Sequence, residues 1–157
     1  MRGKAAPKRR IAPDPKFSQL DVAKFINYIM KRGKKVTAQK VVYQAFEIIK
    51  EKINKDPLMV FRDAVKKVGP TVEVRGRRIG GANYQIPFPV RDERRFNLAS
   101  RWMIEAARKA KGGSMSKKIS QVIMDSARGE GAAVKKREDV HRMAEANKAF
   151  AHFARYV

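Results

Sequence analysis

The sequence predicts a mainly α-helical, single-domain protein of about six helices, with a protruding two-stranded β-hairpin and a basic, extended N-terminal tail. Three observations carry this. Apolar residues recur at helical spacing in six separate segments. The period drops from 3.6 to 2 over one stretch, at about residues 71–90. The first sixteen residues hold three prolines, six cations and almost no large apolar side chain. The expected boundaries are a tail over 1–16 and one helical domain over 17–157, and a length of 157 residues suits a single domain.

The elements follow in order. Ser18 with Asp21 three residues on resembles a capping arrangement, and Val22, Phe25, Ile26, Ile29 and Met30 form one apolar face that ends at Gly33. A second helix carries Ala38, Val41, Val42, Ala45, Ile48, Ile49 and Ile53 at the same spacing. A third opens with Asp56-Pro57, an N-cap followed by proline at the first helical position, and stops at Gly69-Pro70 after Leu58, Phe61, Val65 and Val68. Then Val72 and Val74 alternate with Glu73 and Arg75, Gly80-Gly81 turns the chain, and Tyr84, Ile86 and Phe88 alternate on the return. Pro87 and Pro89 lie two apart, so both missing N–H groups fall on one edge, which predicts a ribbon that recruits no third strand. Ala99, Trp102, Met103, Ala106 and Ala110 make the fourth helix, with Trp102 expected in the core. Ser114 caps a fifth with Met115, Ile119, Val122, Ile123 and Ala127, closed by Gly129 and Gly131. A sixth runs from about Val134 with Val140, Met143, Phe150 and Phe153 on or near one face.

Lys and Arg number 37 against 15 Asp and Glu, a net charge of +22 at pH 7. Like charges on a compact body repel, so a polyanion is the expected partner, nucleic acid first and an anionic membrane surface second. Leu, Ile, Val and Phe account for 36 residues, enough for a lean core in so charged a chain. No apolar run is long enough for a transmembrane helix, and none follows the basic start as a secretion signal requires. Pro7, Pro13 and Pro15 spoil an amphipathic transit helix. The absence of cysteine removes disulfides, thiolate chemistry and Cys-based zinc.

Catalytic constellations are missing too. His141 and His152 are eleven apart, about three helical turns, too far to share a metal, and each reads as a surface or packing histidine. The acidic residues are interleaved with cations, as in Asp92-Glu93 before Arg94-Arg95, which suits capping and local ion pairs. Gly33-Lys34 and Gly112-Gly113-Ser114 do not make a phosphate-binding loop, and there is no G-x-S-x-G. The chain is expected to be no enzyme and to need no cofactor or metal.

The cation clusters are the informative signal, because they recur between elements while the helix stripes stay apolar. The tail carries Arg2, Lys4, Lys8, Arg9 and Arg10; the first interhelical loop carries Lys31, Arg32, Lys34 and Lys35. Further clusters hold Arg75; Arg94 and Arg95; Arg108, Lys109, Lys111, Lys117 and Lys118; and Lys135, Lys136, Arg137 and Arg142. Arg77, Arg78 and Tyr84 around Gly80-Gly81 would place guanidinium planes and a ring on a projecting tip, suited to phosphates and unpaired bases.

Four blocks resemble the bacterial small-subunit ribosomal protein seven family. The segment from Gly131 to His152, with Lys135-Lys136-Arg137-Glu138-Asp139-Val140-His141-Arg142 and Ala144-Glu145-Ala146-Asn147, resembles its C-terminal signature. Gly33-Lys34-Lys35 precedes a helix with Val42-Tyr43 and Ala45; Val72 to Pro87 resembles the family hairpin; and Arg101-Trp102 with Glu105-Ala106-Ala107-Arg108 resembles its fourth helix. The chain departs from the family at its end, Phe153-Ala154-Arg155-Tyr156-Val157, where a Tyr-Arg-Trp-like ending is common.

The resemblance implies a six-helix body with a protruding hairpin. It implies a primary binder of small-subunit rRNA that nucleates the 3′ major domain, the head. It places the chain at the subunit interface near exit-site tRNA and mRNA, with small-subunit proteins nine and eleven as neighbours. On this reading the clustered cations above, with Arg101, bind rRNA. Arg77, Arg78, Gly80, Gly81, Asn83 and Tyr84 face tRNA and mRNA. The implied location is the cytoplasmic ribosome, with an organelle ribosome left open, and no membrane is involved. A DNA-compacting protein shares the charge and the basic ribbon and is the alternative; an RNA-processing enzyme is the third.

Overall fold

The computed structural model describes residues 3, 6–7 and 9–156, the last three through their backbone. Among these, six α-helices, a two-stranded antiparallel hairpin and a C-terminal 3₁₀ segment follow one another. The chain forms two compact units, Met1–Lys40 and Val41–Val157. The mainly α architecture with one hairpin is the predicted one.

The first unit holds helix α1 (Leu20–Ile29) and the opening of α2 (Lys35–Ile53). Val22, Phe25, Ile26 and Ile29 are buried, as their spacing predicts. Ser18 does not cap α1: its N-cap is Gln19, which makes no side-chain cap bond, and Ser18 sits at a φ of 52°. Asp14 takes the local donors instead. Its Oδ2 accepts the N–H groups of Lys16 and Phe17 at 3.1 Å each, its carbonyl accepts that of Ser18 at 2.7 Å, and Asp14 is only 2% exposed. A carboxylate four residues upstream thus folds the chain into a turn before the helix starts. Helix α1 stops at Ile29, before Gly33, which lies in the following loop.

In the second unit, α2 buries Val42, Ala45, Phe46 and Ile49; Phe46 was absent from the predicted stripe, yet its ring packs 5.7 Å from that of Phe61. Helix α3 (Pro57–Val68) starts as predicted, with Asp56 Oδ1 accepting the Leu58 N–H at 3.1 Å, and it packs against α5. Strands β1 (Val72–Ile79) and β2 (Ala82–Pro89) pair from Val72↔Pro89 to Ile79↔Ala82. Gly80 and Gly81 form the two-residue turn with φ of 57° and 90°, a left-handed pair that glycine adopts without a Cβ penalty. Pro87 and Pro89 face Val74 and Val72 at alternate positions of the ladder, so their missing N–H groups share the outer edge.

Helix α4 (Asp92–Lys109) buries Ala99, Ser100, Met103, Ile104 and Ala107, while Trp102 is only half-buried. The apolar face is turned by one position relative to the predicted stripe because Ile104 and Ala107 share it with Met103 and Ser100. Helix α5 (Met115–Arg128) begins where Ser114 Oγ accepts the Lys117 N–H and ends at Gly129, at a φ of 98°. The predicted sixth helix is two elements. Helix α6 (Ala132–Ala146) ends near Asn147, whose amide donates to the Met143 carbonyl at 2.8 Å, and the 3₁₀ segment Lys148–Tyr156 follows. Met143 is 51% exposed, so it lies off the buried face. No helix among the described residues is long and apolar enough to cross a membrane.

Candidate nucleic-acid interface

In the first unit the chain from Lys31 to Lys35 makes a tight loop. Arg32 and Gly33 have φ of 51° and 73°, and the N–H groups of Lys34 and Lys35 donate to the carbonyls of Lys31 and Gly33 at 3.1 and 2.8 Å. The turn leaves Lys31, Arg32, Lys34 and Lys35 exposed on consecutive bends. Arg9 and Arg10 are exposed as well, whereas Arg2, Lys4 and Lys8 fall outside the described residues.

In the second unit the α4–α5 loop does the same. Gly112 and Gly113, at φ of 71° and 66°, reverse the chain ahead of the Ser114 cap. That brings Lys109, Lys111, Lys117 and Lys118 around one open groove of about 530 Å³. Its floor is small and aliphatic, with Ala106, Ala110 and Val122. Lys109 also pairs with Glu105 at 2.7 Å and Arg142 with Asp139 at 3.8 Å, exposed ion pairs of the kind that solvent weakens. Arg101, Arg108, Lys135 and Lys136 are exposed along α4 and α6.

Three of the predicted contacts do structural work at the base of the hairpin. The last turn of α3 leaves carbonyls that its own helix cannot satisfy. Arg95, from α4, donates through Nη2 to the Lys66 carbonyl at 3.1 Å and through Nε to that of Gly69 at 3.2 Å. Arg137, from α6, donates through Nη1 to the Lys67 carbonyl at 2.6 Å. Two guanidiniums thereby cap the negative end of α3 and tie three helices together. Lys67 in turn donates to the Ala127 carbonyl at 2.6 Å, near the end of α5. Arg75 is likewise engaged: its guanidinium binds Glu73 and lies 5.1 Å from the centroid of the Phe88 ring.

Glu73 is the residue whose role the alternation hid. Val72 and Val74 are the apolar members of the alternation, yet Glu73 is the buried one, 8% exposed, with Ile86 on the same face at 0%. Its carboxylate is held by Arg75, with Nε at 2.8 Å, and by Arg94 Nε at 3.2 Å. Burial alone would raise its pKa, but the hydrogen bonds and charges of the two arginines bring it below the ordinary value. The signal was present: Glu73 and Arg75 are two apart on a strand, so they share a face.

His141 sits on the same junction. Its Nε2 accepts the Thr71 N–H at 3.1 Å, joining α6 to the first residue before the hairpin, and burial with Arg137 and Arg95 nearby holds its pKa below the usual histidine value. His152 packs its ring 4.0 Å from that of Phe153. Among the described residues, no three His, Asp or Glu side chains group in a way that could hold a metal.

The hairpin tip departs from the expectation of a bare projection. Arg77, Arg78 and Asn83 are exposed around Gly80 and Gly81, but Tyr84 is half-buried. Its ring lies 5.1 Å from Phe150 and 5.7 Å from Phe153 of the 3₁₀ segment. The two C-terminal rings, placed by the sequence on a helix face, instead brace the ribbon.

What the geometry offers is, in each unit, a cluster of cations beside a short, glycine-bearing turn, and in the second unit a braced basic ribbon as well. A family model described as "Ribosomal protein S7p/S5e" matches residues 1–148. Curated relatives agree over nearly the full length of both chains. The "Small ribosomal subunit protein uS7" of Thermotoga neapolitana is 56% identical over 153 residues, 98% of this chain and 99% of the relative. That of Azoarcus sp. is 55% identical over 152 residues, 97% of each, and that of Saccharophagus degradans 52% identical over the same shares. With the loops, the ribbon and the near-complete alignment all in agreement, the chain belongs to the S7p/S5e family of ribosomal proteins.

Proposed function

We propose that this chain, a structural protein of the small ribosomal subunit, is a primary rRNA binder that nucleates assembly of the head, the 3′ major domain. Family membership makes it a component of the ribosome that works by binding rRNA in translation, with no catalytic step of its own. The head-nucleating role rests on how the charge is distributed. The cations of the Lys31–Lys35 loop and of the Lys109–Lys118 groove project from separate short turns. Each cluster suits a phosphate backbone, and simultaneous contact with several RNA helices would fix their relative angle. Residues 1–16 serve as a basic arm that contacts RNA, and 17–157 as the helical domain that carries it. Arg77, Arg78, Gly80, Gly81, Asn83 and Tyr84 lie toward exit-site tRNA and mRNA at the subunit interface, and small-subunit proteins nine and eleven are the neighbours.

The observation that carries this reading is the net charge of +22, with two of its cation clusters set at tight turns that hold left-handed glycines. Filter binding to an RNA of the isolated 3′ major domain, across a range of salt, tests it. Tight binding with a steep log–log salt slope is expected, with the slope reduced by about 0.7–0.9 for each phosphate contact removed with residues 1–16. Equal affinity for duplex DNA of arbitrary sequence at the same salt would instead support a DNA-compacting role.

A further inference from the structure

The groove between the α4–α5 loop and the first turn of α6 has two unlike ends. Lys117, Lys118, Gln121, Val122 and Asp125 line it from α5 at spacings of one turn, so it runs about 12 Å along that helix. Lys111, Lys117 and Lys118 crowd one end, while Lys109 is already paired with Glu105 at 2.7 Å. At the other end Asp125 Oδ1 accepts the Gln121 side-chain amide N–H at 2.8 Å, which leaves its second oxygen and the Gln121 side-chain carbonyl as acceptors. The first turn of α6 lines that end too, and its N-cap, Gly131, gives it no side-chain cap. Between the ends the floor is Ala106, Ala110 and Val122. Among the described residues, neither an arginine nor an aromatic ring lines the groove.

We propose that this groove docks an extended acidic segment of a partner protein, with carboxylates on the lysines and a small aliphatic side chain on the floor. Charge excludes the chain's own occupants. A second copy carries the same +22, and the first sixteen residues hold one acid against six cations. The floor and the far end then favour a peptide over RNA. Apolar ground without a ring gives an unpaired base nothing to stack on, and lysines alone offer a phosphate no guanidinium fork. The carboxylate of Asp125 repels a phosphate outright. A peptide unit instead brings an N–H for Asp125 and a carbonyl for the uncapped amides of α6. At about 3.3 Å per residue, about four extended residues span the groove. Docking does not depend on the rRNA reading. Where both hold, the two occupants need the same lysines and exclude each other, so the acidic segment is a partner of the free protein and leaves when RNA arrives.

Fluorescence anisotropy with the full-length protein tests the groove. The probes are a peptide that alternates Glu with Leu and Ala, the same peptide with Gly in place of its apolar residues, and a single-stranded RNA oligomer of equal charge. The apolar-bearing peptide should bind about fivefold more tightly than the Gly peptide. Lys117→Ala combined with Lys118→Ala should weaken it about tenfold. Ala110→Phe fills the floor and should erase the preference for the apolar peptide. Asp125→Asn should weaken the peptide while RNA affinity stays level or rises. Equal affinity for the two peptides, or a preference that survives Ala110→Phe in a protein with an unchanged unfolding midpoint, means that charge alone acts and overturns the docking site. If Asp125→Asn strengthens peptide and RNA alike, the occupant is a phosphate chain and the proposal is wrong. Should Ala110→Phe fail to fold, the lysine pair decides, since peptide binding that ignores both lysines lies elsewhere on the molecule. Failure of the rRNA reading shows separately, as weak binding to RNA of the 3′ major domain with peptide binding intact.

Discussion

The side chain of Arg95 crosses directly over Gly69. A Cβ at residue 69 would lie 2.7 Å from Arg95 Cγ, 2.8 Å from its Nε and 3.0 Å from the Val65 carbonyl oxygen. The absence of that one atom lets a guanidinium from α4 reach the unsatisfied carbonyls at the end of α3. Gly69→Ala should therefore destabilise the protein by about 1–3 kcal/mol, the range for overpacking a well-filled site. Arg95→Ala should also destabilise, by removing two charge-assisted bonds. The double variant should lose less than the sum, because the clash disappears with the side chain that makes it. Denaturant unfolding of the four proteins measures this, and strict additivity would show that the crossing has no energetic weight.

Glu73 sits between Arg75 and Arg94 at the foot of the hairpin. Glu73→Gln keeps the shape, removes the charge and leaves two guanidiniums facing each other. A loss of about 1–3 kcal/mol is expected, as for hydrogen bonds to charged groups. Arg94→Ala in the Gln background should recover part of it by relieving the repulsion. A Glu73→Gln protein with unchanged unfolding free energy would mean that the buried carboxylate contributes nothing to holding the ribbon.

The same junction shows what the sequence could and could not disclose. Helix positions were legible because burial follows periodicity: Phe25 and Ile26, Val42 and Ile49, Ile119 and Ile123 all lie where spacing put them. Caps that use neighbouring residues were legible at Asp56 and Ser114. Ser18 failed because an upstream carboxylate, Asp14, competes for the same stretch of backbone. The break between α6 and the 3₁₀ segment left no glycine or proline to mark it, so the apolar rings of Phe150 and Phe153 read as a continued face. In the interface, exposure of the loop cations followed from local turns. Which arginines cap helices did not, because Arg95 and Arg137 reach carbonyls 26–29 and 70 residues away. A cation on a surface loop and one bound to a helix end look the same in one dimension.

His141 gives the junction a pH dependence. Its Nε2 accepts the Thr71 N–H only when that nitrogen carries no proton, and burial, then Arg137 and Arg95, disfavour the charged ring. The folded pKa thus lies below the ordinary histidine value of 6.5, so the unfolded chain binds the proton first as pH falls. Linkage makes this contribution fully present at pH 7 and above, and it is lost as pH drops through about 6.5 toward the lower folded value. The stability lost between pH 7 and pH 5 should shrink in His141→Asn, which has no titrating ring. Parallel pH profiles for the two proteins would show that His141 titrates alike in both states. Glu73, also depressed, acts in a separate window: its contribution is present above the ordinary glutamate value of 4.5 and declines below it.

The 3₁₀ segment sets the angle of the ribbon through Tyr84. Phe150 lies 5.1 Å from the Tyr84 ring and 6.4 Å from that of Phe153, which itself lies 5.7 Å from Tyr84. Phe150→Ala removes both of its pairs, each worth about 0.5–1.5 kcal/mol beyond area burial. The body of α3, α4 and α5 does not depend on these rings, so global unfolding should shift little. The effect belongs to the ribbon: a two-stranded hairpin is marginal without a packed face, so its tip should open more often. Hydrogen exchange at Arg77, Ile79 and Tyr84 should quicken by about the factor that one aromatic pair supplies, roughly five- to tenfold. Exchange at Phe61 and Ile123 should stay unchanged. If both sets of amides quicken together, the rings stabilise the whole unit and do not brace the hairpin; if neither does, the Phe150 ring carries none of the bracing.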